Sequence, residues 1–287
     1  MTSRTIVGWC LAFWIVVFLS SIQKASGQSA RPEEVKFPSG NLVLYGFLYK
    51  PQGNGPFPAI LYNHGSEQNP GLKLALGEFF SSRGYVFFVP HRRGHGRSPD
   101  DSFVESLYAQ GAAGRIALHE THLEDLLAAL AYLKQLSDVD PQRIVVAGCS
   151  YGGIQTVLAV EANAEQKLGL RAAIHFAGGA MSWRSFSLRD RMVRAIRKAT
   201  VPVLFIQAEN DYDLGPSRTL AYELERLGKP HKLLIFPPYG NTHAEGHGVF
   251  CSQGMNVWGP AVSSFLDDPM GMRGVTANDS RRSPSIP

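Results

Sequence analysis

Three side chains, far apart in the chain, have the types and the order that acyl transfer needs: Ser150, Asp211 and His247. A serine hydroxyl is a weak nucleophile at neutral pH. It needs a base in hydrogen-bond contact, and the base needs an acid to fix its orientation. Ser150 lies within Gly148-Cys149-Ser150-Tyr151-Gly152, a G-x-S-x-G pattern. A sharp turn forces its central residue into strained dihedrals, and neighbours without Cβ atoms remove the resulting clashes. Such a turn holds the hydroxyl above a sheet, with a helix N-terminus beneath it.

Five residues alone prove little, because the pattern also occurs by chance as a small-residue turn. Its flanks decide the matter. Arg143-Ile144-Val145-Val146-Ala147 is β-branched and apolar, as a buried parallel strand should be. Gly153 to Val160 reads as a helix buried along most of its face. Asp211 lies in Ala208-Glu209-Asn210-Asp211-Tyr212-Asp213, directly after another predicted strand, and His247 lies in Gly246-His247-Gly248 after the last one. The order Ser…Asp…His differs from the chymotrypsin and subtilisin orders. Asp213 competes for the acid's place and reads as a turn residue at a helix start. His243 competes for the base's place and reads as a loop residue.

The positioning elements alternate along the chain. Val35–Phe37 and Leu42–Tyr49 form an opening antiparallel pair around Pro38-Ser39-Gly40-Asn41. Strands at Ala59–Tyr62, Tyr85–Val89, Ile144–Ala147, Ala172–Phe176, Val201–Gln207 and Lys232–Phe236 then alternate with helices. Those helices are expected at Leu72–Arg83, Leu118–Gln135, Ser182–Ala199, Ser217–Leu227 and Val257–Leu266, besides the one after the elbow. Alternation of this kind predicts an α/β fold: a mostly parallel sheet with helices on both faces and ligands beyond the strands' carboxyl ends. One helix between Phe176 and Val201 leaves no room for a large lid.

With these stretches in place, the chain resembles the α/β-hydrolase superfamily, in particular its dienelactone-hydrolase-like and prolyl-oligopeptidase-like group. The resemblance runs from about Val35 to Leu266. It is carried by Tyr62-Asn63-His64-Gly65-Ser66, Arg92-Arg93-Gly94-His95-Gly96-Arg97-Ser98, the Gly148–Gly152 elbow, the Asp211 loop and Gly246-His247. It implies an eight-stranded type of sheet, with Asp211 as acid and His247 as base. Ala208 stands where the family's acid loop commonly has glycine. One oxyanion donor is expected to be the N–H of Tyr151, the residue after the nucleophile. The resemblance implies Ser66 as the other. His64 and His95 are expected to order their loops.

The resulting expectation is a serine hydrolase acting on a small carboxylic ester or lactone, with no cofactor. A peptidase or acyltransferase on the same triad is the alternative, and a non-catalytic binding protein on a hydrolase scaffold is the third reading. Aromatic residues at Tyr151, Trp183, Phe186, Tyr212 and Tyr239 suggest an apolar acyl or aromatic pocket at the mouth, the alternative being ordinary packing. His119-Glu120-Thr121-His122 falls one residue short of H-E-x-x-H, and no metal is expected.

Composition bounds the remainder. The chain has 287 residues and a formal charge of +4. Residues 1–27 read as a signal peptide: Arg4, an apolar run from Ile6 to Leu19, then Ala25-Ser26-Gly27. Its removal takes Arg4 and Lys24 and no acid, so +4 becomes +2. That charge, without a basic cluster, argues against a nucleic-acid partner. Arg189 to Lys198 reads as the solvated side of a helix. A secreted or periplasmic protein without stable membrane association follows, the alternative being an anchor left uncleaved. Residues 28–266 form the hydrolase domain and 267–287 a disordered tail. Cys149 and Cys251 remain after processing. Cys149 is expected to point into the core, with no disulfide between the two, because disulfide geometry is demanding.

Overall fold

Consecutive residues of the central strands bury on opposite sides of one sheet. Ala59, Leu61, Ile144 and Val146 join one core; Ile60, Tyr62, Val145 and Ala147 join the other. Side chains on a strand alternate between faces, so a sheet covered on both sides needs apolar residues at every position. The uninterrupted Ile144–Ala147 run is therefore a consequence of where its strand sits.

A computed structural model describes residues 31–268. The expected signal segment and the tail from residue 269 onward lie outside the described residues. The chain opens with β1 (Glu33–Ser39), β2 (Leu42–Tyr49), β3 (Phe57–Asn63), α1 (Leu74–Ser81) and β4 (Val86–His91). Next come α2 (Phe103–Ala109), α3 (Ala112–Gln135), β5 (Val139–Cys149), α4 (Tyr151–Gln166) and β6 (Leu170–Phe176). It closes with α5 (Phe186–Arg197), β7 (Val203–Ala208), α6 (Gly215–Arg226) and β8 (His231–Phe236), then a π-helical turn at Glu245–Val249, α7 (Phe250–Gln253) and α8 (Met255–Asp267).

The eight strands lie in the order β1-β2-β4-β3-β5-β6-β7-β8. β2 is antiparallel to both β1 and β4, and every other pairing is parallel. Helices α3 to α6 cover one face through Leu126, Ile154, Met192 and Leu220. Helices α1 and α8 cover the other through Phe80 and Trp258, with Phe250 of α7 between them. Buried Trp258 has its indole N–H satisfied by the Phe250 carbonyl at 2.8 Å. Among the described residues no helix is long and apolar enough to cross a membrane.

Two departures from expectation have physical causes. Helix α2 was not foreseen, because its one deeply buried side chain, Phe103, gives no periodicity. Phe103 instead stacks on the His95 ring at 4.4 Å. The α5 arginines also do not all face water. Arg191 turns inward, with its side chain 15% exposed, and pairs with Glu120 of α3 at 2.6 Å and Glu161 of α4 at 2.5 Å. A guanidinium with two acceptors on different helices clamps all three together, which a solvated face would not do.

Candidate active site

The hydroxyl of Ser150 sits at the turn between β5 and α4. Its backbone adopts φ 56° and ψ −119°, a combination L-residues rarely take. Ser150 N–H donates to the Phe176 carbonyl at 2.9 Å, tying the turn to the end of β6. The flanking glycines are needed for close approach. A Cβ on Gly152 would lie 2.0 Å from the Asn63 carbonyl oxygen, and one on Gly148 would lie 2.3 Å from the Gly152 carbonyl oxygen. The end of β3, the end of β5 and the start of α4 can converge only because both residues lack side chains.

His247 comes from the π-helical turn that leads into α7. Ser150 Oγ donates to His247 Nε2 at 2.9 Å, and His247 Nδ1 donates to Asp211 Oδ1 at 2.8 Å. In the neutral ring that pattern puts the proton on Nδ1 and leaves Nε2 free to accept. Asp211 is buried at the end of β7. Its carboxylate also accepts from the Tyr212 N–H at 2.6 Å and from Gln207 Nε2 at 2.8 Å. Gln207 carries no recognisable motif; its position near the end of β7, four residues before Asp211 in the following loop, is the signal that could have found it. Asp213 instead accepts from the Gly215 N–H at 2.7 Å, at the start of α6. His243 lies on the exposed loop and donates from Nδ1 to the Asn210 carbonyl at 2.8 Å.

Ser150 opens into a cleft of about 490 Å³ that Gly65, Ser66 and His247 also line. Tyr151 is the first residue of α4, so its N–H has no acceptor within that helix. It directly follows Ser150, while the loop of Gly65 and Ser66 comes within contact of the Ser150 Cβ. This loop rests on Arg92, which is 1% exposed. Arg92 Nη1 donates to the His64 carbonyl at 3.0 Å, and Nη2 donates to the Gly65 carbonyl at 2.7 Å and to His64 Nδ1 at 3.0 Å. Accepting from a guanidinium requires an unprotonated Nδ1 on His64. Burial, and then the nearby Arg92 charge, hold His64 well below the ordinary histidine pKa and keep it neutral.

One expectation is overturned beside the nucleophile. Cys149 and Cys251 form a disulfide, with Cα atoms 6.2 Å apart. Both half-cystines line the cleft. Cys149 does face one core layer, but its sulfur is committed to the α7 cysteine. The physical reason is the triad itself. Contact between Ser150 and His247 draws the residue before one and the turn after the other into bonding range.

A model of the prolyl oligopeptidase family matches residues 75–190. The quorum-quenching protein AidA of Acinetobacter baumannii is 32% identical over 133 residues, which is 46% of this chain and 40% of that protein. An acylaminoacyl peptidase from Pyrococcus horikoshii superposes with a TM-score of 0.62 at 20% identity, over 79% of this chain and 39% of that one. Est1E from Butyrivibrio proteoclasticus, in complex with ferulic acid, superposes with a TM-score of 0.62 at 20% identity, over 83% of this chain and 99% of that one. The chain has the α/β-hydrolase fold, and its residues 75–190 are similar to the prolyl oligopeptidase family. It spans well under half the length of AidA and of the acylaminoacyl peptidase.

Within this α/β-hydrolase fold, the expected aromatic mouth is absent from the cleft. Tyr151 and Trp183 are buried, Phe186 is 77% exposed, and Tyr239 packs on Phe250. Tyr212 lays its edge against the His247 ring at 5.4 Å, outside the cleft wall. The wall is instead Tyr62, Met181 and the disulfide, opposed by Glu67 and its ion-pair partner Lys73. A helical amphipathic pattern places aromatic rings in the core as readily as at a mouth, and here the core took them. His119 and His122 serve packing as well. The His119 ring stacks on Tyr151 at 4.3 Å, and His122 Nδ1 bonds the Tyr151 hydroxyl at 2.9 Å. Among the described residues no cluster of His, Cys, Asp and Glu could hold a metal ion.

Proposed function

We propose that this chain is a serine hydrolase that cleaves small carboxylic esters or lactones through an acyl-enzyme on Ser150. The carrying observation is the continuous relay of Ser150 Oγ to His247 Nε2 at 2.9 Å and His247 Nδ1 to Asp211 Oδ1 at 2.8 Å. In this reading His247 takes the Ser150 proton as Oγ attacks the carbonyl carbon. The Tyr151 and Ser66 amides donate to the developing oxyanion, and His247 returns the proton to the leaving oxygen. Water, deprotonated by the same histidine, then cleaves the acyl-enzyme and regenerates Ser150. The cleft's modest volume, walled by Tyr62, Met181 and the disulfide, supports short acyl groups.

Wild-type protein is expected to react with a fluorophosphonate probe and to hydrolyse p-nitrophenyl acetate and butyrate faster than the laurate. Ser150→Ala should lose both reactions, with kcat falling by roughly 10⁴-fold or more. Absence of labelling in the wild type would overturn the catalytic reading, and a preference for long chains would overturn the substrate class. The prolyl oligopeptidase family match favours amide cleavage as a second reading, tested with aminoacyl p-nitroanilides. We place the protein outside the cytosol. The apolar run of residues 6–19 and the Cys149–Cys251 cross-link, a bond that persists in oxidising compartments, both support export. Detection of the processed chain in the exported fraction tests it.

A further inference from the structure

The guanidinium of Arg92 is buried, and among the described residues it has no carboxylate within ion-pair distance. A charge taken out of water without a counter-ion is expensive. An apolar side chain would fill the same space without that penalty, so the placement demands a reason. The groups that Arg92 holds supply one. Two of its terminal nitrogens grip the successive carbonyls of His64 and Gly65 at 3.0 and 2.7 Å. Its central carbon also lies 5.0 Å from the centroid of the Tyr151 ring.

These contacts set the direction of backbone donors. In a trans peptide the C=O and N–H point to opposite sides, and the one cis bond among the described residues is Gly55–Pro56. The Gly65–Ser66 peptide is therefore trans. With the Gly65 oxygen turned inward to Arg92, the Ser66 N–H must point the other way, toward the cleft that Ser66 and Ser150 share. Tyr151 carries the other amide. Its ring is fixed between Arg92, the stacked His119 and the His122 bond to its hydroxyl. One cation thus touches the supports of both donors. A planar fork can hold two carbonyls at once, whereas an ammonium cannot do so in the same geometry.

We propose that Arg92 is the positioning residue of the oxyanion hole, aiming the Ser66 and Tyr151 amides from beneath at the oxygen that becomes negative. This inference rests on the acyl-transfer reading above. It concerns transition-state stabilisation, not substrate binding, so its signature is specific.

Arg92→Lys and Arg92→Ala are expected to lower kcat on p-nitrophenyl acetate by about 10²–10³-fold, the effect of losing one oxyanion donor. KM should stay within about threefold, because ground-state binding does not use the amides. Affinity for a trifluoromethyl ketone, whose hemiketal oxygen occupies the hole, should fall by the same factor as kcat/KM. Millimolar guanidinium should restore part of the Arg92→Ala rate, and methylammonium should not. Ser66→Pro removes one amide directly, and its effect should be less than additive with Arg92→Lys. Arg92→Lys with wild-type kcat, or a loss confined to KM with ketone affinity unchanged, would overturn the inference. Failure of both variants to fold would overturn it too, by assigning Arg92 to the core. A wild type inert to esters and fluorophosphonate would instead sink the acyl-transfer reading itself.

Discussion

Cys149 and Cys251 are covalently joined across the wall of the active-site cleft, 102 residues apart in sequence. One immediately precedes Ser150; the other follows His247 by one helical turn. The end of β5 and the start of α7, which bring Ser150 and His247 together, are thereby tied by a bond as well as by packing.

Closing a loop of that length removes chain entropy from the unfolded state. Reduction by a phosphine, or Cys251→Ala, should lower the free energy of unfolding by about 2–5 kcal/mol. Urea unfolding of oxidised and reduced protein measures this directly. Coincident midpoints would show that the bond contributes nothing to stability.

The two aspartates of the β7–α6 loop should separate cleanly. Asp211→Asn leaves an amide that no longer holds the Nδ1–H tautomer, and kcat should drop by roughly 10³–10⁴-fold. Asp213→Ala loses only the acceptor for the Gly215 N–H at the start of α6, a matter of about 1 kcal/mol in stability with catalysis retained. Steady-state kinetics and thermal melts on the two variants decide. Equal kinetic losses would mean that Asp211 is not the orienting acid.

Stability should fall as the medium becomes mildly acidic. Burial, reinforced by the Arg92 charge, holds His95 down to about 2 and His119 down to about 3, with His64 and His122 well below the usual 6.5. His175, within β6, is held to about 4 by burial. In the unfolded chain these rings titrate near 6.5. Below that pH the unfolded state binds protons the native state refuses, so native stability is present above pH 6.5 and is lost on descent. Each such ring contributes up to about 1.4 kcal/mol per pH unit. Urea midpoints at pH 7.5, 6.5 and 5.5 should drop progressively, and His119→Gln should shallow the trend. A flat profile would contradict the neutral buried state.

The sheet was readable from sequence because its signal is local and repeated. The Ile144–Ala147 run and the Leu-rich α3 each state their own environment. The triad was readable for another reason: elbow, acid and base each follow a strand, so the topology delivers them to one edge. What escaped depends on contacts between distant segments. Arg92 opens a recognisable stretch that does not name its partners, Gln207 has ordinary sequence neighbours, and only the packed loops show which carbonyls and carboxylate they serve. The disulfide could have been inferred. Once Ser150 and His247 are placed in contact, Cys149 and Cys251 have little freedom to lie apart. The aromatic residues misled because hydrophobicity reports burial without saying on which side of a wall.

The positive φ of Ser150 has a consequence for how such a chain can change over time. Glycine tolerates that backbone where serine strains, a difference of about 1–3 kcal/mol. Ser150→Gly should therefore melt higher than wild type while reacting with nothing, which calorimetry can check. Mutational drift toward greater robustness would run downhill at the one position the chemistry cannot spare. A homologue found with glycine there would be a sturdier fold that has retired from catalysis.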